Sequence, residues 1–105
     1  MNIQEFEYKA DQAAALMKSL GSRPRLMLLC HLSDGEKSVG ELAEHTGLRM
    51  SAVSQNLALL RAERIVSQRR DGTTVYYRLA DPTVRQLIRV LYRAFCEGER
   101  AKRLG

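Results

Sequence analysis

The sequence predicts a mainly α fold in which four helices, one β-hairpin and a fifth helix follow one another along a single domain, residues 1–105. Three observations predict it: a helix-start signal at Ser38, a longer helix with one apolar face after it, and two β-prone runs around Asp71-Gly72. Asp-Gly between such runs is a strong signal for a hairpin. A helix, a turn, a second helix and a wing at residues 65–79 make a winged helix-turn-helix.

The helix-turn-helix is expected over residues 38–64. Ser38 and Glu41 have the spacing of a capping box, in which each side chain bonds an unsatisfied backbone N–H at a helix start. The short helix that follows ends at Gly47, which supplies the left-handed residue of a tight turn. The second helix, at about 50–63, carries apolar residues at positions i, i+4 and i+7, which are Val53, Leu57 and Leu60.

An amphipathic helix is predicted at each end of the chain. In residues 3–20 the apolar positions are spaced by four and three, at Phe6, Ala10, Ala13, Met17 and Leu20. The last helix, at about 82–97, starts at Asp81-Pro82 and repeats this spacing at Val84, Leu87, Ile88, Leu91 and Phe95. A small domain has little core left for both helices to cover. We therefore expect a homodimer built from the first and last helices; the alternative is that one helix packs on the other within a monomer.

A central core helix is predicted at residues 24–32, because this stretch is apolar almost all round. Ser22 is expected to cap it. The helix carries Cys30, and Cys96 lies near the end of the last helix. The two cysteines form no CxxC motif, and in a reducing cytosol they are expected as free or reactive thiols rather than as a structural disulfide.

Positive charge is concentrated on the predicted second helix and wing. Between residues 46 and 78, six arginines against two acidic residues give a net charge of +4, out of +5 for the whole chain. A cationic patch supplies the salt-dependent attraction to phosphates that DNA binding requires; without the helix-turn-helix pattern it would be a solvated basic face. We expect a dimer on double-stranded, pseudo-palindromic operator DNA. The alternative is a partner-binding module that uses the same fold without DNA.

The residues that contact DNA are assigned by type and position. Amide and hydroxyl side chains on the second helix are expected at base edges, where Gln or Asn can pair bidentately with adenine: Ser51, Ser54, Gln55 and Asn56. Guanidinium groups around that helix and on the wing are expected at phosphates: Arg49, Arg61, Arg69 and Arg70.

Several classes of protein are disfavoured by the sequence. No apolar run approaches the length of a membrane span, and the N-terminus lacks the basic and apolar regions of a signal peptide, so a cytoplasmic protein is expected. No nucleophile–base constellation, phosphate loop or metal motif is recognisable, so neither an enzyme nor a bound cofactor is expected.

The chain resembles the ArsR/SmtB family of bacterial winged-helix repressors over nearly its whole length. The segments that carry the resemblance are LMLL at 26–29, SVGELA at 38–43, SAVSQNL at 51–57 and DGTTVYYRL at 71–79. The resemblance implies a dimer whose first and last helices form the interface, and a repressor that an inducer releases from DNA. Two residues depart from the family pattern: Arg49 replaces a small capping residue, and Arg64 replaces the usual glycine.

The cysteines indicate the inducer. Metal sites of the family use cysteines on the helix at 41–45 or Asp and His on the last helix; here the first has no Cys and the second no His. His31 and His45 are expected at the surface. The surroundings of Cys30 and Cys96 resemble the branch of the family that senses sulfide and persulfide. That resemblance implies that reactive sulfur species (persulfide or polysulfide) bridge the two thiols. An oxidant-driven Cys30–Cys96 disulfide and a response to arsenite or another metalloid are the alternatives.

Overall fold

The computed structural model describes residues 1–97 and has the predicted winged helix-turn-helix architecture. Its elements are α1 (Ile3–Leu20), α2 (Arg23–Ser33), β1 (Lys37–Ser38), α3 (Val39–Thr46), α4 (Met50–Ala62), β2 (Val66–Asp71), β3 (Thr74–Leu79), α5 (Pro82–Tyr92) and a π-helical turn (Arg93–Glu97). The five helices and the hairpin lie where the sequence predicts them. The strand β1 and the π-helical turn are not indicated by the sequence pattern.

The helix-turn-helix begins with the predicted capping box. The Ser38 hydroxyl accepts a hydrogen bond from the Glu41 backbone N–H at 3.1 Å, and the Glu41 carboxylate accepts one from the Ser38 N–H at 2.9 Å. Gly47 ends α3 with a φ of 74°. Helix α4 then packs into the core through fully buried side chains, which are Val53, Leu57 and Leu60. The turn therefore presents the opposite face of α4 outward.

The C-terminal end of α4 has a backbone conformation that glycine adopts most easily. Arg64 has a φ of 62°. Its N–H donates to the Arg61 carbonyl at 2.9 Å, and the Ile65 N–H donates to the Leu60 carbonyl at 2.9 Å. These two bonds form a Schellman motif. Because a residue with a Cβ is strained in the left-handed region by about 1–2 kcal/mol, Arg64 lowers the stability of the helix end.

Arg64→Gly is therefore expected to raise the free energy of unfolding by about 1 kcal/mol. Gly47→Ala is the matched control, since Gly47 is also left-handed and a Cβ there would meet no atom within 4 Å. We expect Gly47→Ala to lower the free energy of unfolding by about 1 kcal/mol. Urea unfolding followed by circular dichroism measures both, and a destabilised Arg64→Gly variant would contradict the strain at residue 64.

The wing is a three-stranded antiparallel sheet in the order β1-β3-β2. Asp71 pairs with Thr74, so the hairpin loop is Gly72-Thr73, one residue later than the predicted Asp71-Gly72 turn. The φ of 62° at Gly72 suits the first loop position of a type II′ turn, which explains the shift. On the other edge of β3, Ser38 lies opposite Tyr76. The entrance to the helix-turn-helix is thus part of the wing sheet.

The core lies between α2, the helix-turn-helix, the wing and α5. Its buried apolar members are Leu20, Leu28, Leu29, Leu32, Leu42, Val53, Leu57, Leu60, Ile65, Val66, Tyr77, Leu79, Val84 and Ile88. The predicted Asp81 cap is present: its carboxylate accepts from the Thr83 N–H at 2.8 Å. The predicted Ser22 cap is wrong, because the Ser22 side chain makes no capping bond. Pro24, the second residue of α2, has no N–H, so one of the two usual donors is missing.

Candidate DNA-binding surface and thiol site

The outward face of α4 carries the side chains predicted to read bases. Ser51, Ser54 and Gln55 are exposed. Asn56 is half-buried, and its Nδ2 donates to the Ala52 carbonyl at 2.9 Å, so part of its amide is committed to its own helix. Three of the four predicted side chains are therefore exposed, and the fourth is half-buried.

The two arginines at the ends of α4 have different surroundings. Arg49 precedes the helix in an extended conformation, is exposed and does not cap it. Arg61 reaches the wing: with the Gln68 amide oxygen facing it, the guanidinium donates to that oxygen at 2.9 and 3.3 Å. The Gln68 nitrogen then donates to the Tyr77 hydroxyl at 2.9 Å. Because Gln68 is neutral, this contact orients Arg61 without neutralising it.

The two arginines of the wing also differ. Arg69 Nε donates to both carboxylate oxygens of Glu36, at 2.8 and 2.9 Å, and a terminal nitrogen lies 2.6 Å from Oε1. Its guanidinium carbon stands 4.7 Å from the centre of the Tyr76 ring. Hydrogen bonding to Glu36 raises the pKa of Arg69 above its ordinary value. Arg70 is exposed and, within residues 1–97, forms no ion pair. No sequence pattern predicts the Glu36 contact, because the partners lie 33 residues apart.

The two cysteines lie on facing elements and both are free thiols. Cys30 is half-buried on α2 and packs against the core, whereas Cys96 is exposed in the π-helical turn. Burial raises the pKa of the Cys30 thiol above its ordinary value, and the Asp34 carboxylate and the nearby Cys96 raise it further. Since the thiolate is the nucleophile, Cys30 is held in its less reactive protonated form.

A cleft of about 540 Å³ opens beside Cys30, between α2 and α5. Its apolar lining comes from Met27 and Ile88, and its polar lining includes His31, Asp34, Arg89, Tyr92, Arg93 and Glu97. The cleft was not predicted, because it depends on the crossing of two helices that are distant in sequence. Cys96 is adjacent to the lining residue Glu97 but does not line the cleft itself.

The two histidines, predicted at the surface, meet each other. The rings of His31 and His45 stack with centroids 5.4 Å apart and planes 16° apart. His45 is exposed and His31 half-buried. In the part of the chain that the structure describes, no group of three or more His, Cys, Asp or Glu side chains is placed to hold a metal ion.

Exposed apolar side chains remain on α1 and α5. Phe6 is 53% exposed and Met17 is 59% exposed, although both belong to the predicted apolar stripe of α1. On α5 and the turn after it, Leu91 is 37% and Phe95 70% exposed, while Val84 and Ile88 face the core. Helix α5 thus buries one side in its own chain, whereas α1 buries only Ser19 and Leu20 at its C-terminal end, and both helices leave apolar side chains uncovered.

Helix α1 is also joined to the end of α4. The buried Ser19 hydroxyl donates a hydrogen bond to the Glu63 carboxylate. Glu63 is the residue that caps the C-terminal end of α4. The last turn of α1 and the end of α4 are therefore in direct contact. The sequence pattern did not indicate this contact.

Comparisons with known proteins assign the family. A model described as "Bacterial regulatory protein, arsR family" matches residues 23–68. The transcriptional activator HlyU of Vibrio cholerae is 41% identical over 97 residues, covering 92% of this chain and 90% of that protein. The chain belongs to the ArsR family. Like its relatives, this ArsR-family chain is a winged helix-turn-helix transcription regulator and not an enzyme.

Other relatives and solved structures agree with this assignment. The biofilm growth-associated repressor of Xylella fastidiosa is 40% identical over 100 residues, covering 95% of this chain and 88% of the repressor. The crystal structure of BigR from the same organism superposes with a TM-score of 0.85 at 41% identity, covering 91% of this chain and 98% of BigR. A homodimeric winged helix-turn-helix DNA-binding domain from Mycobacterium bovis superposes with a TM-score of 0.77 at 33% identity, covering 90% of this chain and 88% of that domain. None of the helices within residues 1–97 combines the length and the hydropathy of a membrane span.

Proposed function

We propose that this protein is a dithiol-based transcriptional repressor that binds operator DNA as a homodimer and is released when reactive sulfur species bridge Cys30 and Cys96. The observation that carries the proposal is the placement of the two free thiols: one on the core helix α2, the other beside it after α5. A bridge would join the helix that supports the helix-turn-helix to the helix that leaves an apolar face uncovered.

The fold offers a route from a bridge to the DNA. Helix α2 packs on α3, α4 and α5, so a crosslink at Cys30 acts on the helix-turn-helix through its own core. In a dimer formed through α1 and α5, it also changes how the protomers sit against each other. The Ser19–Glu63 bond connects that interface to the end of α4. Affinity for an operator with two half-sites depends on the spacing of the two copies of α4, the reading helix that is proposed to contact the bases. Either movement therefore weakens binding.

The chemistry needs no reagent beyond a persulfide, R–S–SH. The exposed Cys96 thiolate attacks the terminal sulfur, the S–S bond of the reagent breaks, and R–S⁻ leaves and takes up a proton. A second persulfide converts Cys30 in the same way. The Cys30 persulfide then attacks Cys96 Sγ and expels HS⁻, which leaves a trisulfide. Two persulfides thus yield two R–SH and one hydrogen sulfide. The sulfane sulfur that leaves as sulfide takes up the two electrons that the two thiols lose.

The length of the bridge distinguishes persulfide from a general oxidant. A plain disulfide requires Cα atoms about 4.4–6.8 Å apart. Cys96 projects from the exposed π-helical turn and does not line the cleft beside Cys30. An additional sulfur atom lengthens the reach of the bridge, so thiols held further apart than this range would form a trisulfide or longer chain rather than a two-sulfur bridge.

Intact-protein mass spectrometry after anaerobic treatment with glutathione persulfide tests the proposal. We expect a gain of one or more sulfur atoms with the loss of two hydrogens and of both free thiols, and no bridge in Cys30→Ser. Parallel samples receive hydrogen peroxide or arsenite. An unchanged mass with persulfide would refute the proposal. Loss of two hydrogens with peroxide alone would instead indicate a disulfide sensor, and an arsenic adduct alone a metalloid sensor.

DNA is proposed to be contacted by the outward face of α4 and by the wing. Ser51, Ser54, Gln55 and Asn56 would face base edges, with Arg49, Arg61, Arg69 and Arg70 toward phosphates. The dimer is inferred from the uncovered apolar sides of α1 and α5, and the Mycobacterium bovis domain described as homodimeric supports it. Two such reading helices match a pseudo-palindromic duplex.

Arg70→Ala is expected to weaken DNA binding about tenfold, because its guanidinium is not neutralised. The slope of log affinity against log salt concentration is expected to fall by about one released counterion per protomer. Arg69→Ala is the matched comparison. Since Arg69 already forms an ion pair with Glu36, we expect a smaller loss of salt dependence than in Arg70→Ala. Fluorescence anisotropy at several salt concentrations, with a duplex that the wild-type protein selects from random sequence, measures both. Equal losses of salt dependence in the two variants would contradict the role assigned to Glu36.

A further inference from the structure

The cleft beside Cys30 carries charges of both signs. Arg89 and Arg93, one helical turn apart, contribute two guanidinium groups from α5 and the π-helical turn, while Asp34 at the end of α2 and Glu97 contribute carboxylates. Among residues 1–97, none of these four groups forms an ion pair within 4.0 Å, although all line the same cleft. Opposite charges that face one cavity without pairing leave it able to accept a ligand that itself carries both charges.

We propose that this cleft binds the amino-acid head group of a low-molecular-weight persulfide, with Arg89 and Arg93 on its carboxylate and Asp34 and Glu97 on its ammonium group. The inference rests on the proposed function and specifies the class of inducer: a persulfide of cysteine or of a cysteine-containing peptide. Planar guanidinium groups match a carboxylate bidentately, which makes arginine the suitable partner for that end of the ligand.

The size and lining of the cleft agree with such a ligand. Its volume of about 540 Å³ lies within the range of small-molecule sites, about 300–1,000 Å³. Met27 and Ile88 provide apolar contact for the methylene groups of the ligand, and Cys30 lies in the same lining. A head group held by the charged side chains thus keeps the sulfane sulfur of the ligand close to Cys30. Effective concentration is raised without any change in the reactivity of either thiol.

Reaction rates with four persulfides test the assignment. The persulfides of glutathione and cysteine carry both an ammonium and a carboxylate, that of cysteamine only an ammonium, and that of 3-mercaptopropionate only a carboxylate. The reduced protein is treated anaerobically, and the loss of free thiols is followed by mass spectrometry. We expect the first two reagents to react about tenfold faster than the other two, as two weak charge pairs would provide.

The variant Arg89→Gln/Arg93→Gln is expected to lose the preference over cysteamine persulfide. Its rates with glutathione and cysteine persulfides fall about tenfold, while its rate with cysteamine persulfide stays within about twofold. Lys18→Gln/Arg78→Gln removes the same charge from exposed positions outside the cleft and is expected to keep the wild-type preference. Equal rates for all four reagents, or an equal loss in the control variant, would overturn the proposal.

A second measurement separates the head-group site from the thiol chemistry. S-methylglutathione cannot transfer sulfur, so its binding, followed by NMR line broadening, does not depend on the reactivity of the thiols. We expect it to bind the wild-type protein and to lose binding in Arg89→Gln/Arg93→Gln. If it does so while no persulfide reacts, the head-group site stands and the proposed persulfide response fails. Binding that the double substitution leaves unchanged would overturn the site even where persulfides react.

Discussion

Phe6→Glu is expected to convert the proposed dimer into a monomer and to weaken binding to a duplex with two half-sites by about 100-fold or more. A dimer binds both half-sites together, whereas a monomer binds each half-site separately. Linking the two binding events raises the affinity by about 10²–10⁴-fold. Phe6 lies on the apolar stripe of α1 and is 53% exposed in the protomer, so a carboxylate there is hydrated until a partner covers it. Light scattering after size exclusion gives the oligomeric state, and anisotropy with the selected duplex gives the affinity.

Tyr8→Glu provides the control for the dimer. Tyr8 is 89% exposed on the same helix but lies off the apolar stripe, since two residues rotate a helical position by about 200°. We expect this variant to remain dimeric and to bind DNA as the wild type does. Should Phe6→Glu stay dimeric, an interface through α1 would be excluded.

Leu57→Ala is expected to lower the free energy of unfolding by about 2–5 kcal/mol. Leu57 is fully buried at the centre of α4, and its truncation leaves a cavity where the reading helix meets the core. Leu59, two residues away on the same helix, is 54% exposed. Leu59→Ala is therefore expected to change the unfolding free energy by less than about 0.5 kcal/mol. Urea unfolding measures both, and similar losses would contradict the orientation of α4.

The local parts of the fold were readable from the sequence because their signals span a few residues. The capping box at Ser38 and Glu41, the left-handed Gly47 and the i, i+4, i+7 spacing in α4 each depend on neighbours within two helical turns. The same holds for the hairpin, whose turn was misplaced by only one residue. The Ser22 cap failed for a local reason too, since Pro24 removes a donor.

The contacts that shape the candidate sites were not readable, because they join distant segments. Glu36 meets Arg69 across the wing sheet, and Ser19 meets Glu63 across two helices. The cleft beside Cys30 depends on how α2 crosses α5, and the π-helical turn alters the direction in which residues 93–97 project. Residue type identified Cys30 and Cys96 as candidates, but only the packing of the chain indicates that the first is half-buried and the second exposed.

The most direct test of the thiol switch is the operator affinity of the reduced protein compared with the protein treated with glutathione persulfide. We expect treatment to weaken binding at least about tenfold, within the usual range of coupling between two sites, and a reductant to restore it. Cys30→Ser and Cys96→Ser are each expected to keep their reduced-state affinity after treatment, because neither can form the bridge. A treated wild-type protein that carries the bridge and still binds the selected duplex as tightly as the reduced protein would contradict the switch.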